Sequence, residues 1–214
     1  MIRTDLFIVT AAQIASLDDR GLVEFLRHLL LAEARQVGLP LSGIHVPAQI
    51  TVPDGGEDGR ITWEGGTDRT DYLPRRHTAL QAKATRVTSA SLKAETHVVS
   101  SDGQRPVLRP VLSEAIAAGG AYIVATTKAL TAKQMAPLLA AIRAGIAGTG
   151  HDPDALVIDI YDANKLATWA TRHQAIALAF NERFGGHSLS GFKSLDLWGR
   201  HPDIHSLPWT DDDQ

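Results

Sequence analysis

An α/β fold, a mixed sheet covered by helices, is what the sequence predicts, on three observations. A long amphipathic helix comes first, a group of strand-like segments follows it, and the second half switches to continuous apolar strands alternating with helices. Strands that are apolar on both faces need cover on both faces, which layers of helices supply. The 214 residues, 44% hydrophobic and 21% charged, suffice for one full core, so one domain is expected.

From Asp18 to about Gln36 the apolar residues Leu22, Phe25, Leu26, Leu29 and Leu30 recur at helical spacing. Ser16 or Asp18 is available as the cap and Gly38-Leu39-Pro40 as the stop. At about 100° per residue Glu33 falls within this stripe, whereas Glu24 falls opposite. Glu33 either reaches past the core edge into water or projects into a polar site where a metal or a lysine offsets its desolvation. Gly43 to Val52, Arg60 to Trp63 and Thr78 to Val87 then look extended and should form an antiparallel group. The polar connection GGTDRTDYLPRRH separates the last two, and a loop of that length in a compact domain is usually functional or mobile. Thr88 to Arg109 is polar and without a clear period. Beyond it the pattern is a helix from Val111 to Ala118, a strand from Ala121 to Thr126, a helix from Thr131 to Gly145, a strand from Ala155 to Tyr161, and a helix from its cap Asp162 to His173. From Asn181 glycines, histidines and prolines interrupt every pattern, and the chain closes on Asp211-Asp212-Asp213-Gln214. The expected organisation is a folded domain over 1–180 and a linker or docking tail over 181–214, as in a chain either cut from something larger or built to join it.

Composition excludes several chemistries. With no cysteine, disulfides, thiolate zinc sites and cysteine nucleophiles are out, and a reducing cytoplasm is the natural compartment. The run MIRTDLFIVT is too short for a signal sequence, and no stretch approaches the ~20 apolar residues of a membrane span. The net charge is -3, yet from Arg60 to Arg109 basic residues outnumber acidic ones, so a polyanion could bind there. Neither the GxxxxGK[ST] nor the GxGxxG pattern occurs in a strand-to-helix context. Pro202 between His201 and His205 argues against a helical metal pair, and the four tryptophans lie largely outside the basic segment.

Chemistry concentrates in two segments, Asp54-Gly55-Gly56-Glu57-Asp58-Gly59 and Gln81-Ala82-Lys83. On a strand Gln81 and Lys83 project to one side and Leu80, Ala82 and Ala84 to the other. Asp58 could face Gln81 across the ladder, and Glu33 could come in from the helix behind. A hard divalent cation takes oxygen ligands such as Asp58 and the Gln81 amide, and Lys83 could stabilise charge developing on a phosphorane. The plainer alternative is a hairpin turn with Gln81 and Lys83 exposed on an edge strand, in a binding or scaffold domain. A calcium loop of Asp54, Glu57 and Asp58 lacks the later bidentate glutamate.

At these residues the chain resembles the PD-(D/E)xK restriction-endonuclease-like nucleases. Leu29-Leu30-Leu31-Ala32-Glu33-Ala34, the GGxD turn ending at Asp58 and the QxK run Gln81-Ala82-Lys83 are similar to those of the Mrr-like and related double-strand endonuclease effector domains of bacterial antiphage proteins, some of them fused to STAND NTPases. The resemblance implies a three-layer restriction-endonuclease-like α/β fold and Mg²⁺- or Mn²⁺-dependent cleavage of double-stranded DNA. Asp58 would be the metal-binding acid, Gln81 the counterpart of the D/E position, Lys83 the motif lysine and Glu33 the helix acid, with the Ala82 carbonyl a further metal ligand. Gln81 is neutral where the family name has a carboxylate, so metal affinity should be lower. A non-catalytic DNA-binding or assembly module on the same fold is the alternative. Arg75 and Arg76 in the long loop are the expected phosphate contacts, and nothing resembles a recognition helix that would read bases. The expected partners are double-stranded DNA, further copies of the chain as a homo-oligomer, and an NTPase or sensor domain.

Overall fold

The computed structural model describes residues 4–47, 58–85, 87–99 and 106–185. A 3-10 turn at Thr4–Phe7 leads into the short helix α1 (Ala11–Ile14), whose cap Thr10 exchanges hydrogen bonds with Gln13. The long helix α2 (Asp19–Val37) follows. Asp18 caps it by accepting the Gly21 N–H, and Gly38 ends it in the left-handed region at φ 71°, a conformation that only glycine adopts without strain.

The strands β1 (Ile44–His45), β2 (Gly59–Thr62) and β3 (His77–Lys83) form the expected antiparallel group. The remainder of the first expected strand, and the turn residues Asp54 to Glu57, lie outside the described residues. The third strand stops at Lys83, short of Val87. There the Ala84 N–H donates to the Asp19 carboxylate and the Ala84 carbonyl accepts from Thr127 Oγ1, so side chains take over the backbone groups a ladder would need.

The stretch that had no sequence assignment holds α3 (Ser89–Ala94), capped by Thr88, and a hairpin of β4 (His97–Val99) and β5 (Pro106–Leu108). Then come α4 (Pro110–Ala117), β6 (Ala121–Thr126), α5 (Ala132–Ala147), β7 (Val157–Tyr161), α6 (Ala163–Arg172) and α7 (Gln174–Gly185). The expected boundary at residue 180 falls inside α7. Asn181 is buried there, and its side-chain amide donates to the carbonyls of Leu6 and Ile8 and accepts from Gln13.

Among the described residues the central sheet has the order β1-β2-β3-β6-β7, antiparallel up to β3 and parallel from β3 onward. It is a mixed α/β sheet with a core on each face. On one face Leu22, Leu26, Leu29 and Leu30 of α2 meet Leu80, Ala82 and Ile123, together with Trp169 of α6 and Phe180 of α7. On the other Leu92, Leu112 and Ile142 of α3, α4 and α5 cover Ala79, Tyr122 and Val124. This arrangement is compatible with three layers. Among the described residues no helix is long and apolar enough to cross a membrane.

The long loop between β2 and β3 is packed. Leu73 is fully buried, Trp63 Nε1 donates to the Thr67 carbonyl at 2.8 Å, Tyr72 stacks on Trp169 with ring centroids 5.1 Å apart, and Arg172 bonds Asp71.

Candidate functional site

The parallel strands decide where polar groups gather. Leu80 pairs with Gly59 of β2, so two residues on the Ala82 amide also faces the β2 side, but β2 has run out. Asp58, immediately before the strand, fills the gap: its Oδ2 accepts the Ala82 N–H at 2.7 Å, and its own N–H donates to the Leu80 carbonyl. In an extended strand the carbonyl of a residue points to the same side as its N–H, so the Ala82 oxygen also faces the edge where β2 has run out.

Gln81 and Lys83 project to the face covered by α3 and α4. Gln81 is buried and its Oε1 accepts from the Tyr122 hydroxyl of β6. An amide oxygen has two lone pairs, so one such bond leaves room for a second partner. Lys83 Nζ lies 2.7 Å from Glu95 Oε1, just past the end of α3. Burial, reinforced by the charges of Glu95 and Asp58 and opposed by that of Arg109, raises the Tyr122 hydroxyl far above its ordinary range. Tyr122 is therefore a permanent donor, and Asp58 and Glu95 both lie within electrostatic reach of one buried oxygen.

Asp58, Gln81, Ala82 and Lys83, separated by more than twenty positions in the chain, thus meet at the carboxyl end of β3. Two side chains that the sequence reading missed complete the group. Tyr122 sits in what reads as an ordinary buried strand, and Glu95 in a stretch without period; only the packing of β6 and α3 onto β3 brings them in.

Three expected site residues are placed elsewhere. Glu33 is 1% exposed on the α2 face, across the sheet from Gln81 and Lys83. Its Oε2 accepts from Trp169 Nε1 at 3.0 Å and lies 3.1 Å from His173 Nε2. It neither reaches water nor joins the cluster; an indole and an imidazole offset its burial instead. Arg75 and Arg76 precede β3, so the strand's length, roughly 20 Å, separates them from Lys83. Arg76 is held within its loop by Asp68 at 2.7 Å and the Gly66 carbonyl at 2.9 Å, while Arg75 is exposed and its guanidinium donates to the adjacent Pro74 carbonyl.

Among the described residues no three His, Asp or Glu side chains converge as a ready-made cage. The oxygens on offer are the carboxylates of Asp58 and Glu95, the Gln81 amide and the Ala82 carbonyl, a hard set of the kind Mg²⁺ or Mn²⁺ prefers. One of them, Glu95 Oε2, is buried and has no hydrogen-bond partner, as a group short of a cation or a water would be. A cleft of about 550 Å³ elsewhere, lined by His28, Arg35, Arg172 and His173 among others, contains no carboxylate and so lacks the charged oxygen donors that Mg²⁺ prefers. Compared with protein-family models, with curated proteins and with solved structures, the chain finds no match in any of the three.

Proposed function

We propose that the chain is a metal-dependent endonuclease that hydrolyses phosphodiester bonds of double-stranded DNA, on a restriction-endonuclease-like variant of its α/β fold. The supporting observation is that the Asp58 carboxylate binds the backbone N–H of Ala82, between Gln81 and Lys83 at the end of β3, while the Lys83 ammonium lies beside a Glu95 oxygen. Asp58 and the Gln81 oxygen, with the Ala82 carbonyl, would hold a divalent cation. The Ala82 N–H fixes the orientation of the Asp58 carboxylate, as outer-shell partners of metal ligands do. When bound, the cation supplies Lewis acidity toward a phosphate oxygen and makes water more acidic. Lys83 stabilises the negative charge that builds on the phosphoryl oxygens. Asp58 and Glu95 balance Lys83 and Arg109, so adding a dication leaves net positive charge, which suits a phosphodiester anion. With no element suited to base readout, sequence preference should be weak, and an effector role in antiphage defence follows from the resemblance alone.

Supercoiled plasmid incubated with Mg²⁺ or Mn²⁺ tests the reading. The wild type should nick it, and Lys83→Ala should lower the rate by about 10²-fold or more; equal rates in the two proteins would defeat the proposal. One observation favours a second reading, a non-catalytic DNA-binding or assembly module: Lys83 is already ion-paired and Gln81 already hydrogen-bonded, as in a stable polar core. A protein that binds duplex DNA but neither binds Mn²⁺ nor nicks the plasmid would fit that reading.

A further inference from the structure

The site pairs a neutral Gln81 with an acid from outside the strand. We infer that Glu95 is the second carboxylate ligand of the divalent cation, taking over from α3 the charge that position 81 lacks. This rests on the nuclease reading above and names a ligand beyond it.

Three features carry it. Glu95 is anchored: it follows the last residue of α3, its N–H donates to the Ser91 carbonyl at 3.0 Å, and Oε1 is held at 2.7 Å by Lys83, the residue after Ala82. Its other oxygen is buried without a partner, and a desolvated carboxylate oxygen left unbonded is costly unless something fills the gap. Asp58, Gln81 and Glu95 are also tied to three consecutive residues at the end of β3: Asp58 accepts the Ala82 N–H, Gln81 accepts from the Tyr122 hydroxyl, and Glu95 pairs with Lys83. Asp58 approaches from the β2 edge, Gln81 from the strand and Glu95 from the helix. The Lys83 ammonium next to Glu95 holds the carboxylate in place while the cation is absent and becomes available to a phosphate once Glu95 turns to the metal. Glu95 is the acid that Lys83 pairs with, and Glu33 is walled off by the sheet.

Mn²⁺ titration of the full chain by calorimetry or electron paramagnetic resonance tests the assignment on wild type, Glu95→Gln, Asp58→Asn and Glu33→Gln, with plasmid nicking run in parallel and circular dichroism recording the fold. Glu95→Gln keeps the shape and one oxygen of the side chain and removes its charge. It should weaken Mn²⁺ binding about tenfold or more, as Asp58→Asn should, with Glu33→Gln unchanged. If the wild type binds Mn²⁺ and nicks DNA but Glu95→Gln binds within about twofold of it, Glu95 is no ligand and the nuclease reading stands. If the wild type neither binds Mn²⁺ nor nicks DNA, both fall.

Discussion

Glu33 shows how far a single residue can be read from its neighbours. Helical periodicity correctly puts it among the buried positions of α2, but periodicity refers to the helix alone and says nothing about which face of the sheet the helix will cover. Its carboxylate ends against Trp169 and His173, partners well over a hundred residues away that no local pattern could supply. The consequence is testable. Glu33→Ala leaves a buried indole N–H and an imidazole without their acceptor, and breaking a buried pair of this kind costs about 3 kcal/mol. A melting curve should fall by roughly 10 °C for a chain of this size, while the rate of plasmid nicking, measured well below the transition, should hold. A variant that melts normally but no longer cuts would return Glu33 to the reacting centre. Gln81 and Lys83 were legible for the opposite reason: their shared face follows from strand alternation, and Leu80 and Ala82 pack into the α2 core as that alternation requires.

Helices and strands with strong punctuation were readable, and those whose limits depend on distant groups were not. Asp18, Thr131 and Asp162 each cap the helix that follows because a short polar side chain satisfies an N–H at its start. The six residues of α3 are too few to display a period, and β4 and β5 are three residues each, so the element that delivers Glu95 had no signature. What positions α3 is instead a helix-to-helix approach. A Cβ on Gly145 of α5 would sit 2.3 Å from Thr96 Oγ1 and 2.9 Å from the Lys93 carbonyl, and the backbone atom cannot swing aside. Gly145→Ala must therefore push the end of α3 outward, at about 1–3 kcal/mol, and carry Glu95 away from Lys83. A lower melting temperature together with a nicking rate reduced even at temperatures where the protein is folded is the expected pair of results; an unshifted melt would show that the contact yields freely.

For the whole molecule, the alternation of apolar strands and helices revealed a sheet covered on two sides, but not where the folded unit stops. The interruption of pattern at Asn181 reads as the start of a tail, yet Asn181 is a buried fastener between α7 and the first residues of the chain, and Phe180 and Phe184 on either side of it pack in a tilted pair at 4.6 Å between centroids. Polar residues that satisfy backbone carbonyls inside a core look, in sequence, like polar residues in solvent. Two truncated chains, one ending after residue 185 and one after residue 180, separate the contribution of the last turn of α7. Ending the chain after residue 180 should cost about 2 kcal/mol or more, since two carbonyls and Gln13 lose their partner; equal transitions for the two truncations would show that α7 contributes nothing past Phe180.

That fastener also orients the molecule for anything joined to it. Residues 6 to 8 and 181 are clasped together beside α2, with the sheet between them and Lys83. A surface linker, affinity handle or fused module attached beside residues 6 to 8 is therefore anchored on the far side of the sheet from the acid-and-lysine group.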